Sequence, residues 1–285
     1  MPLVSPYTDC RGPWLKGNLH THTTRSDGRQ EPAVVAERYA SAGWDFLALT
    51  DHDQHTPPPA DARLIWLPGV EVTANGPHLL AIGVTRAYDT LPPRQAIIDS
   101  IVADGGLCVL NHPNWGPDFV HWSQAQLETL TGYHGIEIHN SVVERLEGSA
   151  SAVDRWDRLL SVRRRVWGYA TDDLHDLPDG PRSYCAVCVA ERSAEAVLAA
   201  LRAGCFYAST GLDIERIAVD GDTLTVEAPE ADCIRFVGRW GAVLATVDGP
   251  SATYQVRPAD GYVRAECHGR GLRIAYTQPV RYEGQ

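Results

Sequence analysis

The sequence lacks several features that define large functional classes. It has no run of 18 apolar residues, which is about the length that a membrane-spanning helix needs, so we expect no membrane span. Residues 1–11 contain no basic segment followed by an apolar one, so we expect no secretory signal and a cytoplasmic protein. Neither a Gly-x-Ser-x-Gly motif nor a Walker-type loop occurs, which argues against an acyl-serine hydrolase and a nucleotide triphosphatase.

Cysteine is sparse and its count is odd. The 7 cysteines of the 285-residue chain suit free thiols in a reducing compartment. Only one C-x-x-C occurs, at Cys185 and Cys188, inside a strand-like apolar segment. Residues three apart on a strand face opposite sides, so we interpret these two as packed thiols rather than as a zinc or redox pair.

Positive charge is also scarce. The chain has 25 Lys and Arg against 36 Asp and Glu, a formal net charge of −11. Such a surface repels polyanions at long range, so we expect no broad nucleic-acid binding. A small phosphate ester remains compatible, because bound divalent ions can make a pocket locally positive.

The first three quarters of the chain alternate between strand-like and helix-like segments. Between Trp14 and Ser209 this alternation predicts parallel strands joined by helical crossovers. After Gly211 only short strands separated by turns follow, such as the turn at 220–222, which predicts a small antiparallel β domain. We therefore expect an α/β protein with two domains, residues 1–210 and residues 211–285.

Seven short motifs rich in histidine and acidic residues recur near the ends of the predicted strands. They are His20-Thr21-His22, Ser26-Asp27-Gly28, Thr50-Asp51-His52, Gly69-Val70-Glu71, Asn111-His112-Pro113, Glu137-Ile138-His139-Asn140 and Asp172-Asp173-Leu174-His175. Imidazole and carboxylate groups are ligands of Zn, Mn and Fe. In α/β barrels the carboxyl ends of the strands converge on one mouth. The motifs together predict a multinuclear metal centre.

Spacing supports the same interpretation for individual residues. His20 and His22 are two apart on a predicted strand, so both imidazoles project from one face, and Asp173 and His175 repeat this spacing. Glu71 follows an apolar strand, where a buried carboxylate needs a partner that a metal ion can supply. Any one of these residues alone could be a hydrogen-bonded core residue, but the whole set favours metal binding.

On these motifs the chain resembles the PHP (polymerase and histidinol phosphatase) superfamily of metal-dependent phosphoesterases, over about residues 14–210. The resemblance implies a distorted (β/α)7 barrel that carries the small antiparallel β domain at its C-terminus. It also implies three metal sites with Glu71 bridging the first two. The first site would use His20, His22 and Asp173; the second, His112 and His139; the third, Asp27, His52 and His175.

The opening motif and the β-rich tail look most like a bacterial branch that includes uncharacterised phosphoesterases and carbamate hydrolases. Many members of the family have histidine where this chain has Asp27. An oxygen ligand there shifts the metal preference toward Mn or Fe. The sequence therefore leaves open whether two or three divalent ions bind, and whether they are Zn, Mn or Fe.

The expected activity is hydrolysis of a small phosphomonoester or phosphodiester, including nucleotide derivatives, by a metal-bridging hydroxide. Glu71 and Asp173 would serve catalysis through the metals, and His78 would act as an acid or substrate contact. Arg25 and Asn140 are candidate substrate-binding residues. Trp115 could wall the pocket, and His121 is expected to be structural.

Two alternatives remain open at this stage. One is hydrolysis of a carbamate, ester or amide by the same metal centre. The other is a non-catalytic scaffold stabilised by metal, although the presence of all nine predicted ligands argues against it. The sequence does not give the substrate, the oligomeric state or the role of the tail.

Overall fold

The computed structural model describes residues 2–8, 10–60 and 63–283, which form a mixed α/β structure with a large central sheet and few helices. None of the helices in these ranges combines the length and the hydropathy that a bilayer crossing requires. The α-helices are α1 (Pro32–Ser41), α2 (Arg94–Ala103), α3 (Gln124–Thr129), α4 (Val153–Ser161) and α5 (Ala194–Ala203). The strands are β1 (Leu3–Val4), β2 (Trp14–Asn18), β3 (Phe46–Leu49), β4 (Ile65–Val72), β5 (Leu79–Ile82), β6 (Leu107–Leu110), β7 (Gly135–Asn140), β8 (Trp167–Thr171), β9 (Tyr184–Cys188), β10 (Phe206–Ser209), β11 (Arg216–Asp220), β12 (Thr223–Glu227), β13 (Ala231–Gly238), β14 (Ala242–Asp248), β15 (Ser251–Gln255), β16 (Arg264–Gly269), β17 (Ile274–Thr277) and β18 (Arg281–Tyr282).

The main sheet has 13 strands in the order β14-β13-β16-β17-β10-β9-β2-β3-β4-β5-β6-β7-β8. The pairs β2–β3, β3–β4, β6–β7 and β7–β8 are parallel, as the alternation predicts. The prediction is wrong for β5, which is antiparallel to both β4 and β6, and for β9, which is antiparallel to β2. Residues 73–78 between β4 and β5 are too few for a helical crossover, so the chain turns straight back.

The two ends of the run from β2 to β8 meet beyond the strands themselves. Thr21 forms an isolated parallel bridge with Leu174, and the backbone N–H of His22 donates to the Leu174 carbonyl at 2.8 Å. The segments that carry the first and last motifs are therefore joined side by side. The α/β class is confirmed, and the distorted (β/α)7 barrel stays a prediction.

The C-terminal strands continue the main sheet rather than standing apart from it. β17 pairs antiparallel with β10, with Ala208 opposite Tyr276, and β16, β13 and β14 follow. β11, β12 and β15 form a separate sheet of 3 strands. One hydrophobic cluster contains Val35 and Tyr39 of α1 together with Leu224 and Phe236 of the tail. The domain boundary at 210/211 stays a prediction.

A buried ion pair also links the tail to α4. Arg264 on β16 is only 1% exposed, and its Nε and Nη2 lie 2.9 and 2.8 Å from the two carboxylate oxygens of Asp157. Its Nη1 donates to Glu266 at 2.7 Å, and the Tyr262 hydroxyl donates to Asp157 at 2.6 Å. Removing one partner of such a pair lowers the free energy of unfolding by about 3–5 kcal/mol, because the remaining charge stays buried without a partner.

The expectation that all cysteines are free is wrong for two of them. Cys10 and Cys205 form a disulfide across a sequence separation of 195, with their Cα atoms 6.0 Å apart. The N-terminal segment runs beside the start of β10, a tertiary contact that cysteine spacing does not reveal. Cys185 and Cys188 are free and buried, in agreement with the interpretation as packed thiols.

Candidate metal centre

The site begins just after β2, which ends at Asn18. Two buried histidines, His20 and His22, follow it. The Nε2 atoms of His20 and His22 lie 3.2 and 3.1 Å from the same carboxylate oxygen of Asp173, which follows β8. The two Nε2 atoms also lie 3.2 and 3.4 Å from the carboxylate oxygens of Glu71 on β4. The predicted first group of ligands is therefore brought together by the ends of β2, β4 and β8.

Glu71 lies at the middle of the site. Its Oε1 is 3.2 Å from Nδ1 of His78 and 3.5 Å from Nε2 of His112, whereas its Oε2 is 2.8 Å from Nδ1 of His52. Asn111 donates to Oε1 at 2.7 Å and thereby fixes the carboxylate. The two oxygens of Glu71 therefore face different histidines, and the carboxylate could contribute to more than one metal site.

Three clusters of possible ligand atoms surround Glu71, and the atoms within each cluster lie within 4.8 Å of one another. We call them cluster A, cluster B and cluster C. Their members are His20, His22 and Glu71 for A; His78, His112 and His121 for B; and His22, Asp27, His52 and His175 for C. Imidazole and carboxylate donors at such spacing suit Zn, Mn or Fe.

The hydrogen bonding of the buried ligand atoms tests whether metal ions fit. Seven buried atoms of the predicted ligands have no hydrogen-bond partner, among them His112 Nδ1 and His139 Nε2. Each of the other five lies within 3.4 Å of another of the five; they are His20 Nε2, His22 Nε2, His52 Nδ1, Glu71 Oε2 and Asp173 Oδ1. Each buried polar atom left unsatisfied costs about 1–3 kcal/mol. These atoms converge on shared positions, where divalent cations would satisfy several at once. The donor set therefore fits metal ions.

The electrostatics of the protein atoms point the same way. Burial alone would lower the pKa of His20, yet the carboxylates of Asp173, Glu71 and Glu137 raise it well above its usual value. Burial opposes ionisation of Glu71 and Asp173, but their contacts with His20 hold both pKa values well below the usual range. The carboxylates thus remain anionic and attract positive charge into the site.

Glu137 on β7 contacts two of the candidate ligands, although the ligand pattern alone does not identify it. Its Oε1 lies 2.7 Å from Nδ1 of His20 and accepts from Thr171 at 2.7 Å, and its Oε2 accepts the His112 backbone N–H at 2.8 Å. A carboxylate on Nδ1 keeps Nε2 of His20 facing the metal position. The only sequence signal is its place two residues before His139.

His139 does not join the other predicted ligands. Its Nε2 lies 3.5 Å from Glu144, and His139 together with Arg182 lowers the pKa of Glu144 to about 2. The register of β7 shifts between Glu137 and His139, so the inward position falls to Asn140, whose Nδ2 donates to Asp173 at 3.1 Å. Within the described residues, the three clusters do not include His139.

His78 and His121 lie beside His112, for which the resemblance gives His139 as the partner. The backbone N–H of His78 donates to Nε2 of His121 at 2.8 Å, and the rings of His112 and His121 lie 4.7 Å apart. Burial and the neighbouring His112 and His78 lower the pKa of His121 to about 2, which keeps its ring neutral. His121 has no motif around it, so nothing in the sequence marks it as more than structural.

Cluster C faces the solvent. Oδ1 of Asp27 lies 3.3 Å from Nε2 of His52 and 3.4 Å from Nε2 of His175, and the Asp27 side chain is 56% exposed. Asp51 turns away from the metal position and accepts from the Thr23 backbone and the Ser26 hydroxyl at 2.8 and 2.7 Å. Asp51 therefore shapes the loop that carries Asp27.

The clusters form the floor of a cavity of about 460 Å³. Two cations, Arg29 and Arg145, line it, and Trp115, Val143 and Leu146 add apolar surface. The candidate Arg25 is exposed and lies outside the lining. The other substrate-binding candidate, Asn140, lies beneath the site against Asp173.

The fold is similar to those of several solved structures. A two-domain protein containing a predicted PHP-like metal-dependent phosphoesterase from Bacteroides vulgatus superimposes with a TM-score of 0.55 at 18% identity, over 98% of each chain. The lesion-specific endonuclease PfuEndoQ from Pyrococcus furiosus has a TM-score of 0.50 at 13% identity, over 67% of this chain and 56% of its own. An amidohydrolase from Chromobacterium violaceum has a TM-score of 0.42 at 17% identity, over 56% of this chain and 87% of its own.

No protein-family model matches the sequence, and no curated protein matches it. At these identities the structural likeness shows a shared fold. The fold is similar to that of the protein containing a predicted PHP-like phosphoesterase, in agreement with the resemblance of the motifs, whereas the branch with carbamate hydrolases stays a prediction. Because one protein of this fold is a lesion-specific endonuclease, the acidic net charge alone does not exclude nucleic acid.

The different positions of His78 and His139 lead to a paired test. We expect His78→Ala to remove about one bound metal equivalent, because its Nδ1 lies 3.2 Å from Glu71. His139→Ala should keep the metal content, because its ring contacts Glu144 instead. Elemental analysis of the two purified variants measures both. Loss of metal in the His139 variant alone would restore the assignment made from the resemblance.

Proposed function

We propose that the chain is a metal-dependent hydrolase of small phosphate esters. The observation that carries this proposal is Glu71, a buried carboxylate whose two oxygens face different histidines and which lies among three groups of ligand atoms. Such an arrangement suits two or three divalent ions held close together. Closely spaced ions are typical of enzymes that displace groups at phosphorus.

The ligands divide among three proposed positions. The first takes His20, His22 and Asp173, and Glu71 is shared with the second, which takes His78 and His112 beside His121. The third takes Asp27, His52 and His175. Zn, Mn or Fe bound there would lower the pKa of water and polarise the phosphoryl oxygens. The residues below position these ligands and the substrate.

Glu137 and Asn140 hold the ligands in place from behind. Glu137 fixes the ring of His20 through Nδ1, and Asn140 donates to both Glu137 and Asp173 at 2.9 and 3.1 Å. Hydrogen bonds from residues behind the ligands orient each ligand's lone pair toward the metal position. They typically contribute about 10–100-fold in metal affinity or activity.

Two arginines at the mouth favour an anionic substrate. Arg145 donates through Nε and Nη2 to Asp179 at 2.7 and 2.8 Å, so its third nitrogen can bind substrate. Arg29, which also lines the cavity, contacts Asp176 at 3.0 Å through Nη1. Guanidinium groups bind phosphate oxygens strongly. This pair favours a phosphate ester over a neutral carbamate, ester or amide.

The apolar wall accommodates the organic part of the ester. Trp115 packs edge-on to His112 with 5.0 Å between ring centroids, and Val143 and Leu146 line the same cavity. An aromatic or aliphatic leaving group can lie against these side chains while its phosphate faces the ligands. We therefore propose small organic phosphate esters as the substrate class.

A substrate panel tests the proposed reaction. Protein loaded with Zn, Mn or Fe is incubated with p-nitrophenyl phosphate, bis(p-nitrophenyl) phosphate, 1-naphthyl N-methylcarbamate and a single-stranded DNA oligonucleotide. We expect turnover of one or both small phosphate esters, with little of the carbamate. Preferred hydrolysis of the carbamate or of the oligonucleotide would contradict the proposed substrate class. If none of the four compounds were hydrolysed, the result would favour the non-catalytic scaffold.

Arg145 and Arg25 provide a matched pair within the same panel. Arg145→Gln should raise KM for the phosphate ester about tenfold, since a hydrogen bond to a charged group is worth about 1.5–3 kcal/mol. Arg25→Gln should leave KM unchanged, because this side chain is exposed outside the cavity. An equal effect of both substitutions would mean that only general surface charge matters.

A further inference from the structure

A second cavity, separate from the metal centre, lies where the end of α4 meets the tail. Its volume is about 200 Å³, and it shares no lining residue with the cavity of the metal centre. Three arginines line it, Arg163 after α4, Arg239 after β13 and Arg281 on β18. We propose that this arginine pocket binds a compact phosphate-class anion, either inorganic phosphate or the phosphoryl group of a small ester.

The positive charge of the arginine pocket is not neutralised by the protein. Within residues 2–8, 10–60 and 63–283, no ion pair joins a carboxylate to Arg163, Arg239 or Arg281. The nearby carboxylates are occupied elsewhere. Asp157 is held by Arg264, and Asp260 accepts from the Arg257 backbone at 2.8 Å. A net charge near +3 in a protein of net charge −11 therefore faces one small cavity.

Of the three arginines, Arg281 gives the strongest support for a bound anion. The residue is only 7% exposed, and its Nη1 makes a long contact of 3.4 Å with the Arg164 carbonyl. Burial and the neighbouring Arg165 lower the pKa of Arg281 to about 10. A buried cation is expensive without a counter-charge. An anion in the cavity would supply that charge.

Arg163 adds an independent observation. Its backbone adopts φ 66°, the left-handed conformation in which a helix commonly ends on glycine. The carbonyls of Leu159 and Leu160 at the end of α4 already accept from the N–H groups of Arg164 and Arg163 at 2.9 and 3.1 Å. The helix end is therefore satisfied, and an arginine lies where glycine would be the less strained choice.

The size and chemistry of the arginine pocket narrow the ligand. A volume of about 200 Å³ is below the roughly 300–1,000 Å³ typical of sites for drug-sized molecules, so the ligand must be compact. Guanidinium groups bind phosphate and carboxylate oxygens bidentately, and three of them suit a dianion better than a single carboxylate. Tyr262 and Ser161 also line the pocket, and their hydroxyls already donate to the carboxylate and to the backbone carbonyl of Asp157.

Isothermal titration of the full-length, metal-loaded protein with inorganic phosphate tests the proposal, with chloride holding the ionic strength constant. The exposed pair Arg163→Gln and Arg239→Gln, combined in one variant, should retain the fold and weaken one binding event by at least about tenfold. Arg281→Met should do the same and provides a second, buried variant. Arg235→Gln, an exposed arginine of β13 outside the pocket, is the control and should bind as wild type does.

Phosphate can also bind at the metal centre, so binding there must be distinguished from binding in the arginine pocket. The arginine-dependent binding event should persist in Glu71→Gln, whereas any event at the metal centre should not. Methylphosphonate in a parallel titration distinguishes free phosphate from a phosphoryl group that carries an organic substituent. Identical isotherms for wild type and the double arginine variant, with either anion, would overturn the proposal.

Discussion

Glu71→Gln is expected to lose bound metal and to reduce kcat/KM for the preferred phosphate ester by about 10³-fold or more. The substitution keeps the size of the side chain but removes the charge and replaces one oxygen with an amide nitrogen that cannot bind a cation. Because Glu71 contacts His20, His52 and His78, the loss affects more than one metal position. The effect corresponds to several kcal/mol of lost transition-state stabilisation.

The measurement is elemental analysis beside steady-state kinetics on the same preparation. Glu31→Gln is the matched control, since Glu31 is exposed and makes no side-chain capping hydrogen bond to α1. It should have wild-type metal content and turnover. Full metal stoichiometry and activity in the Glu71 variant would remove the basis of the proposed function.

Chelation of the metals is expected to lower the midpoint of thermal unfolding by roughly 5–10 °C. A ligand present at about 100 times its Kd stabilises the native state by about 2.7 kcal/mol, and about 1 kcal/mol shifts Tm by about 2–4 °C in a chain of this size class. Removing the ions leaves the buried atoms of His22, Glu71 and Asp173 without partners. The chain should nevertheless stay folded, because none of the candidate ligands belongs to its three hydrophobic clusters.

Thermal scans followed by circular dichroism, with and without a chelator, measure this shift. The Glu71→Gln variant provides the internal control, since it should already unfold at a lower temperature and respond less to the chelator. An unchanged Tm for wild-type protein after complete metal removal would show that the ligands are held without any contribution from bound ions.

The elements of the fold could be predicted where local chemistry determines them. β6 spans Leu107–Leu110 as the apolar run predicts, and α3 begins after Ser123, whose side chain caps the helix in a capping box with Gln126. Capping and apolar periodicity depend on residues close in sequence, so they survive without knowledge of the fold.

The parts that could not be predicted depend on contacts between distant segments. The direction of β5 follows from the short turn before it and the strands on each side. The disulfide of Cys10 and Cys205 depends on how the N-terminal segment packs. These features can be determined only from the three-dimensional structure of the sheet.

The candidate site shows the same division. His20, His22, Glu71 and Asp173 could be identified because spacing and strand ends bring them to one face. The sequence predicts His139 as the metal ligand from β7, but a register shift of one residue exchanges the side chain that faces inward. His121 reaches cluster B through a loop, which no periodic pattern describes.

The pairing of β10 with β17 has a consequence for how such a chain can evolve. A protein that ended after β10 would carry a bare sheet edge with Ala208 and its neighbours unpaired, and bare edges promote self-association. A recombination that replaced the tail would therefore have to supply another strand, or another surface, to cover the edge of β10.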